Sequence, residues 1–331
     1  MGSPGLLALR AELRSAMARQ GSCLACPLAR RCCTSSAAGA LHVKASFNVP
    51  SSNLTSIPGL WKPAQLASSA ASHFTPPLLF HDHAGHDLLC TLVVFASSFA
   101  WIRLFDFLVQ RNVLEPSLSR KLVHISTGIL YAMLWPVFSI SPWSRYFALA
   151  IPFTNAVRLL VYGLGIIKDV RVVKSISRSG SSRELLAGPL YYVVVLSVCT
   201  VFFWRDSPVG MVALAVMCGG DGIADIVGRS LGTVKLPYNS TKSWAGSISM
   251  FFFSFALSLS LLYYYSSMGF YQLNWSSAVQ VVALISFTAT FVESLPISTR
   301  LDDNMSVPLV SVLMGSALWG QPYFLVFFCK L

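Results

Sequence analysis

The sequence predicts an all-α, polytopic membrane bundle of about 7–8 transmembrane helices behind an N-terminal leader. Three observations carry this. Of 331 residues, 54% are hydrophobic and only 11% are charged, against about 25% charged in an ordinary soluble domain. Mean hydropathy is +0.63. From about residue 88 onward, apolar stretches follow one another with short polar intervals. Such a chain lacks the polar side chains to cover a globule of its size, which excludes a cytosolic enzyme and a disordered protein. The formal charge of +11 comes from 24 Lys and Arg against 13 Asp and Glu. In a membrane protein that excess marks loops kept on one face of the bilayer, so no nucleic-acid partner is expected.

Residues 1–70 form the leader. They hold Arg10, Arg14, Arg19, Arg30, Arg31, Lys44 and Lys62, many Ser and Ala, and one acid, Glu12. A basic, acid-poor, Ser/Ala-rich stretch without a long apolar core fits a disordered organelle transit peptide. Its length and Ser content favour the plastid, with the mitochondrion as the alternative. Cys23, Cys26, Cys32 and Cys33 could be drawn as a zinc site, but no folded His/Cys-rich context follows them. Cys90, Cys199, Cys218 and Cys329 lie in apolar runs and show no disulfide framework.

The membrane domain occupies 88–331, with spans expected near 88–109, 122–140, 146–167, 185–204, 207–220, 246–267, 277–297 and 306–329. Most approach the ~20 residues that a helix needs to cross a ~30 Å core. The fifth is short and runs into Gly219-Gly220, as a partial or broken helix would. Alternating the spans sends loops 110–121, 168–184, 221–245 and 298–305 to one face. These carry Arg111, Arg120, Lys121, Lys168, Arg171, Lys174, Arg178, Arg183, Arg229, Lys235, Lys242 and Arg300, whereas the opposite loops offer little beyond Arg145 and Arg205. The basic face is therefore the cytosol-like one, the stroma in a plastid.

Acids are scarce, and Asp221, Asp225, Glu293, Asp302 and Asp303 all fall at or beside this basic face. Asp221 and Asp225 are four apart, so on one helix they share a face. Two carboxylates that close repel unless a cation lies between them, and a few oxygen ligands suit Mg²⁺ held with substrate phosphates. Around them Gly220, Gly222 and Gly228 leave backbone N–H groups free to approach an anion, with Arg229 next in line. The alternative is a glycine-capped helix end with two solvated acids.

The string Asn239-Ser240-Thr241-Lys242-Ser243-Trp244-Ala245-Gly246 opens the next span. A Lys with hydroxyls and Gly at a helix start makes a phosphate cradle, because N–H groups, dipole and ammonium point the same way. Taken alone it reads better as an N-cap with a snorkelling Lys. Glu293 closes an apolar span and is the only charge between Lys242 and Arg300. Asp302, Asp303 and Asn304 open the last span, where acids also complement the helix dipole. His124 follows Arg120 and Lys121 by one turn, so the three can share a face; a hydrogen-bonded core His is the competing role. Arg183 and Glu184 form either a site pair or a helix-start pair. His81-Asp82-His83 with His86 and Asp87 has a metal-like composition but lies on the opposite face, as a flexible juxtamembrane segment.

In this order, these strings resemble the polyprenol kinase family, which includes dolichol kinases, and most closely its plant phytol and farnesol kinases. Ser119-Arg120-Lys121-Leu122-Val123-His124 and Arg183-Glu184-Leu185-Leu186-Ala187-Gly188-Pro189 belong to the match, which runs from about residue 88 to the C-terminus. The resemblance implies a multi-span plastid or endoplasmic-reticulum enzyme that phosphorylates a membrane-dissolved prenyl alcohol. Its usual donor would be CTP, sometimes UTP, with a divalent cation. Carried over, Asp221 and Asp225 are metal and nucleotide-phosphate ligands, while Arg229, Lys242 and Ser243 contact phosphates. Glu293, Asp302, Asp303 and Asn304 complete the metal site or activate the hydroxyl. The expected reaction is phytol plus CTP to phytyl phosphate plus CDP, returning the chlorophyll tail toward tocopherol. Rival readings are a farnesol or geranylgeraniol kinase, a membrane CTP:lipid cytidylyltransferase, and a transporter using the acids as ion ligands.

Overall fold

The computed structural model describes residues 61–63, 83–177, 180–296 and 302–320. Most of the leader, His81, Asp82, Arg178, Arg300 and Cys329 lie outside the described residues. Each predicted span is met by a helix. In chain order these are α1 (His83–Gln110), α2 (Pro116–Leu134), α3 (Ser144–Gly163), the short α4 (Val170–Ile176), α5 (Gly188–Phe202), α6 (Pro208–Ser230), α7 (Trp244–Ser267), α8 (Trp275–Ser294) and α9 (Asp303–Leu318). Among the described residues, six helical segments are long and apolar enough to cross a membrane: α1, α3, Ser182–Phe202 containing α5, α6, α7 and α8. The other two matches are α2, with Arg120 and Lys121 in its opening turns, and α9.

Local chemistry sets where the helices start. Proline occupies the first turn of α2, α5 and α6, where its missing N–H has no partner to lose. Ser243, Asn274 and Asp302 cap α7, α8 and α9 with side-chain oxygens. On α1, Leu92, Val93, Phe95 and Phe99 are exposed, the outward face that lipid requires. Its beginning departs from expectation: His83, His86 and Asp87 are helical rather than a loose juxtamembrane segment, and Asp87 is buried, accepting hydrogen bonds from Ser139 N (2.7 Å) and Ser139 Oγ (2.8 Å).

The fifth segment is the main difference. It does not break at Gly219-Gly220 but runs through them as one helix, α-helical at both ends and π-helical over Ala215–Asp221. It is the bundle's central helix, 83% buried over its apolar window, packed against α2, α5, α7 and α9. Glycine here serves close approach. A Cβ at Gly220 would lie 2.0 Å from Ser254 Oγ, one at Gly219 would lie 2.3 Å from Leu257, and one at Gly222 would lie 2.2 Å from Ile125. Small residues that let backbones meet are what hold helices together where the hydrophobic effect cannot.

The described residues also form four short strands. Trp61–Pro63 (β1), inside the stretch assigned to the leader, pairs antiparallel with Tyr271–Leu273 (β4) between α7 and α8. Lys235–Leu236 (β2) and Asn239–Ser243 (β3) form a hairpin between α6 and α7. At the β4 end, buried Arg205 donates to the carbonyls of Trp135 and Phe138 (3.2 and 2.7 Å) and faces the Trp204 and Phe270 rings, joining three interhelical turns.

The packing role of the α6 glycines is testable. Gly222→Ala should lower the unfolding temperature in detergent, by overpacking worth about 1–3 kcal/mol. Adding Ile125→Ala should recover part of that loss, because the two side chains would occupy the same space. An unaltered melting temperature in Gly222→Ala would refute the packing role.

Candidate functional site

The site lies at the end of the bundle opposite β4, where α2 begins, α6 and α8 end, and α7 and α9 begin. The sequence builds it from caps and termini. The β2–β3 hairpin carries Lys242 to the cluster, and Ser243 then starts α7, its Oγ accepting from Gly246 N at 3.2 Å. Asn239 fixes the hairpin to the end of α8 by donating to Ser294 O (3.0 Å), while Tyr238 Oη lies 3.0 Å from Ser294 Oγ. That attachment brings Lys242 against Glu293.

Three carboxylates converge there. Asp221 from α6, Glu293 from α8 and Asp303 from α9 present oxygens that all lie within 4.8 Å of one another. Lys242 Nζ donates to Asp303 Oδ2 at 2.8 Å and also to Glu293 Oε1. Burial pulls the Lys242 ammonium down, but Glu293 and Asp303 outweigh it and hold its pKa above the ordinary lysine range. On the α2 side, Lys121 Nζ lies 3.6 Å from Asp221 Oδ2 and 3.4 Å from Asp225 Oδ2. Arg229 Nε donates to Asp225 Oδ1 at 2.9 Å.

Three cations therefore face four carboxylates, with Asp302 a fifth acid alongside. Glu293 Oε2, Asp303 Oδ1 and Asn304 Oδ1 are buried without a hydrogen-bond partner. Excess negative charge and unpartnered oxygens with no soft ligand fit a hard divalent cation such as Mg²⁺. Asp221, Glu293 and Asp303 would hold it.

That set differs from the expected pair. Asp225 stands outside the three-carboxylate group and is engaged by Lys121 and Arg229. Asp302 caps α9 instead, its Oδ1 accepting from Asn304 N (2.9 Å) and Asn304 Nδ2 (2.8 Å), so only Asp303 of that pair joins. Gly220 and Gly222 pack against α7 and α2, and Gly228 and Gly246 let α6 and α7 meet at the mouth. Arg120 donates to Ser177 O (3.1 Å), tying α2 to the loop after α4. Arg183 and Glu184 sit in a 3₁₀ turn before α5, Arg183 exposed. Gly188, at the start of α5, lies beside Asp302 and Asn304.

His124 sits one turn along α2 from Lys121. Its ring packs on Tyr192 of α5, centroids 4.0 Å apart, and Tyr192 Oη donates to the His124 carbonyl at 2.9 Å. Asn239 and Ser294 stand in the sequence strings that hold Lys242 and Glu293, whereas Tyr192, a tyrosine inside an apolar span, carries no local signal.

Comparison with known proteins adds the family. No family model matches the chain, and no solved structure does. Phytol kinase 1, chloroplastic, of Arabidopsis thaliana is 52% identical over 235 residues, covering 71% of this chain and 77% of that protein. A probable phytol kinase 1 of Glycine max is 52% identical over 225 residues, covering 68% and 74%. A probable phytol kinase of Zea mays is 46% identical over 263 residues, covering 80% and 84%. Identity at that level over about three-quarters of each relative, in a bundle with one charged mouth, means that the chain belongs to the chloroplastic phytol kinase family.

Proposed function

We propose that this chain phosphorylates phytol with CTP, in a chloroplast membrane, as the step that returns the chlorophyll tail toward tocopherol. The observation that carries the proposal is the Asp221, Glu293 and Asp303 group, bridged by Lys242 at the end of an apolar bundle. Phytol dissolves in lipid and CTP in water, so a kinase joining them needs its phosphate site at one end of the helices. Phosphoryl transfer asks mainly for positioning and charge neutralisation. A new bond forms between the alcohol oxygen and the γ-phosphorus, the bond to the β–γ bridging oxygen breaks, and CDP leaves. The alcohol's proton passes to a base beside the oxygen and then to water.

Lys242, Lys121 and Arg229 supply the cationic contacts for the nucleotide, with UTP a possible substitute for CTP. Bound Mg²⁺ would neutralise phosphate charge. Lys242 exchanges part of its carboxylate contact for phosphate when the donor arrives. The names of the relatives support the substrate and the plastid; the excess of Lys and Arg supports the stromal face for the mouth.

Incubating membranes that contain the protein with labelled CTP and a panel of prenyl alcohols tests the reaction. Lipid monophosphate and CDP are expected, with phytol preferred; CDP-lipid and pyrophosphate would show a cytidylyltransferase. Glu293→Gln and Asp303→Asn should each cost several kcal/mol of transition-state stabilisation and reduce turnover to background. Asp302→Asn, which keeps a capping oxygen, should retain most activity; equal losses in all three would overturn the ligand assignment. Lys242→Ala should raise the apparent KM for CTP or lower kcat, leaving the order of alcohol preference intact.

Topology has its own check. In a cysteine-free background, Ser240→Cys should react with an impermeant thiol reagent from the stromal side, and Trp143→Cys, exposed in the opposite loop, from the other. Labelling of both from one side would contradict the arrangement.

A further inference from the structure

The buried polar atoms at the mouth that lack a hydrogen bond fall into two kinds. Those of Glu293, Asp303 and Asn304 are oxygens, suited to a cation, with the Ser247 and Ser306 hydroxyls beside them. The nitrogen among them is His124 Nε2. A neutral imidazole keeps a lone pair free on one ring nitrogen, and Nε2, which bonds to nothing, is the nitrogen open to a donor.

Place decides what that lone pair meets. Chain direction puts His124 three residues beyond Lys121, about 4.5 Å farther from the mouth at 1.5 Å per residue. The nucleotide approaches the carboxylates from the aqueous end. A prenol reaches them from the opposite direction, along the apolar body of the bundle, and brings one polar group, a hydroxyl. His124 as a whole is only half-buried, while Nε2 itself is enclosed. The ring's orientation is held by Tyr192, which packs on it and bonds to the carbonyl of the same residue.

We infer that His124 Nε2 accepts the hydrogen bond of the prenol hydroxyl and so positions the alcohol oxygen toward the Asp221, Glu293 and Asp303 group. This rests on the prenol kinase reading. The role is that of a substrate-positioning residue: the hydrogen bond fixes where the oxygen's free lone pairs point, and the proton on it leaves along that bond to water as the oxygen–phosphorus bond forms. Burying a bare acceptor is unfavourable, and the hydroxyl removes that disadvantage only when the alcohol is bound.

The test uses the full chain in liposomes, varying phytol at saturating CTP and CTP at saturating phytol. His124→Leu should lower kcat/KM for phytol roughly tenfold or more and leave the apparent KM for CTP within about twofold. His124→Gln, which keeps an acceptor near the Nε2 position, should recover most of the loss. Unaltered phytol kinetics in His124→Leu, or a glutamine variant no better than leucine, would overturn the assignment. Should His124→Leu fail to fold, the wild-type protein gives a second test. Phytyl methyl ether keeps the oxygen but has no proton to donate, so it should compete with phytol at least tenfold more weakly than phytol's own KM implies; equal competition refutes the role. A wild-type protein that phosphorylates no prenol would instead refute the proposed function.

Discussion

Glu293 and Asp303 arrive from two different helices and are packed against each other and Asp221 at the end of an apolar bundle. Three anions so close, largely out of water, would drive those helix ends apart. The Lys242 ammonium between Glu293 and Asp303 makes the approach tolerable, and Lys121 does the same between Asp221 and Asp225. Much of the mouth follows from this. The hairpin must fold back far enough to deliver Lys242, which explains its attachment through Asn239 and Tyr238 to the last turn of α8. The α9 start must be rigid enough to aim Asp303, and the Asp302 cap provides that.

The same arrangement leaves the mouth with more carboxylate charge than its own cations cancel. A closed structural salt-bridge network would have every oxygen satisfied. Here several buried oxygens are not, and they face the place where three helices end. Unsatisfied buried acceptors are unfavourable in the resting state, so their persistence at one spot fits a site whose partners arrive with a ligand. The contrast with the opposite end is instructive. There Arg205 and Asp87 are equally buried, yet they bond to backbone and serine, the pattern of a structural clasp.

Why α6 stands at the centre follows from its side chains. Glycine and alanine along it allow α2 and α7 to approach to backbone distance, and the π-helical stretch shifts the register just before Asp221. Each π turn rotates the following residues relative to an α-helix, so this stretch decides which neighbours Asp221 and Asp225 face. Asp221 turns toward α8 and α9; Asp225 stays with Lys121 and Arg229.

Much of this was present in the one-dimensional chain. The membrane forbids unsatisfied backbone and isolated charge, so apolar runs had to be helices and the few acids had to gather where water reaches. Counting spans was enough to return the loops bearing Asp221, Lys242, Glu293 and Asp303 to one end. Local chemistry also foretold the Ser243 cap and the shared face of Asp221 and Asp225. What the sequence could not decide was partnership. Gly219-Gly220 looked like a break because glycine disfavours a helix on its own; only the faces of α2 and α7 turn it into a contact. Asp221 was matched with Asp225 because they are near in sequence, whereas its carboxylate neighbours come from residues 293 and 303 on other helices. His124 gained its role from Tyr192, dozens of residues away. Spacing along a chain specifies which residues share a helix face, but which faces meet is set by how side chains of distant segments fit, and that is decided only when the bundle closes.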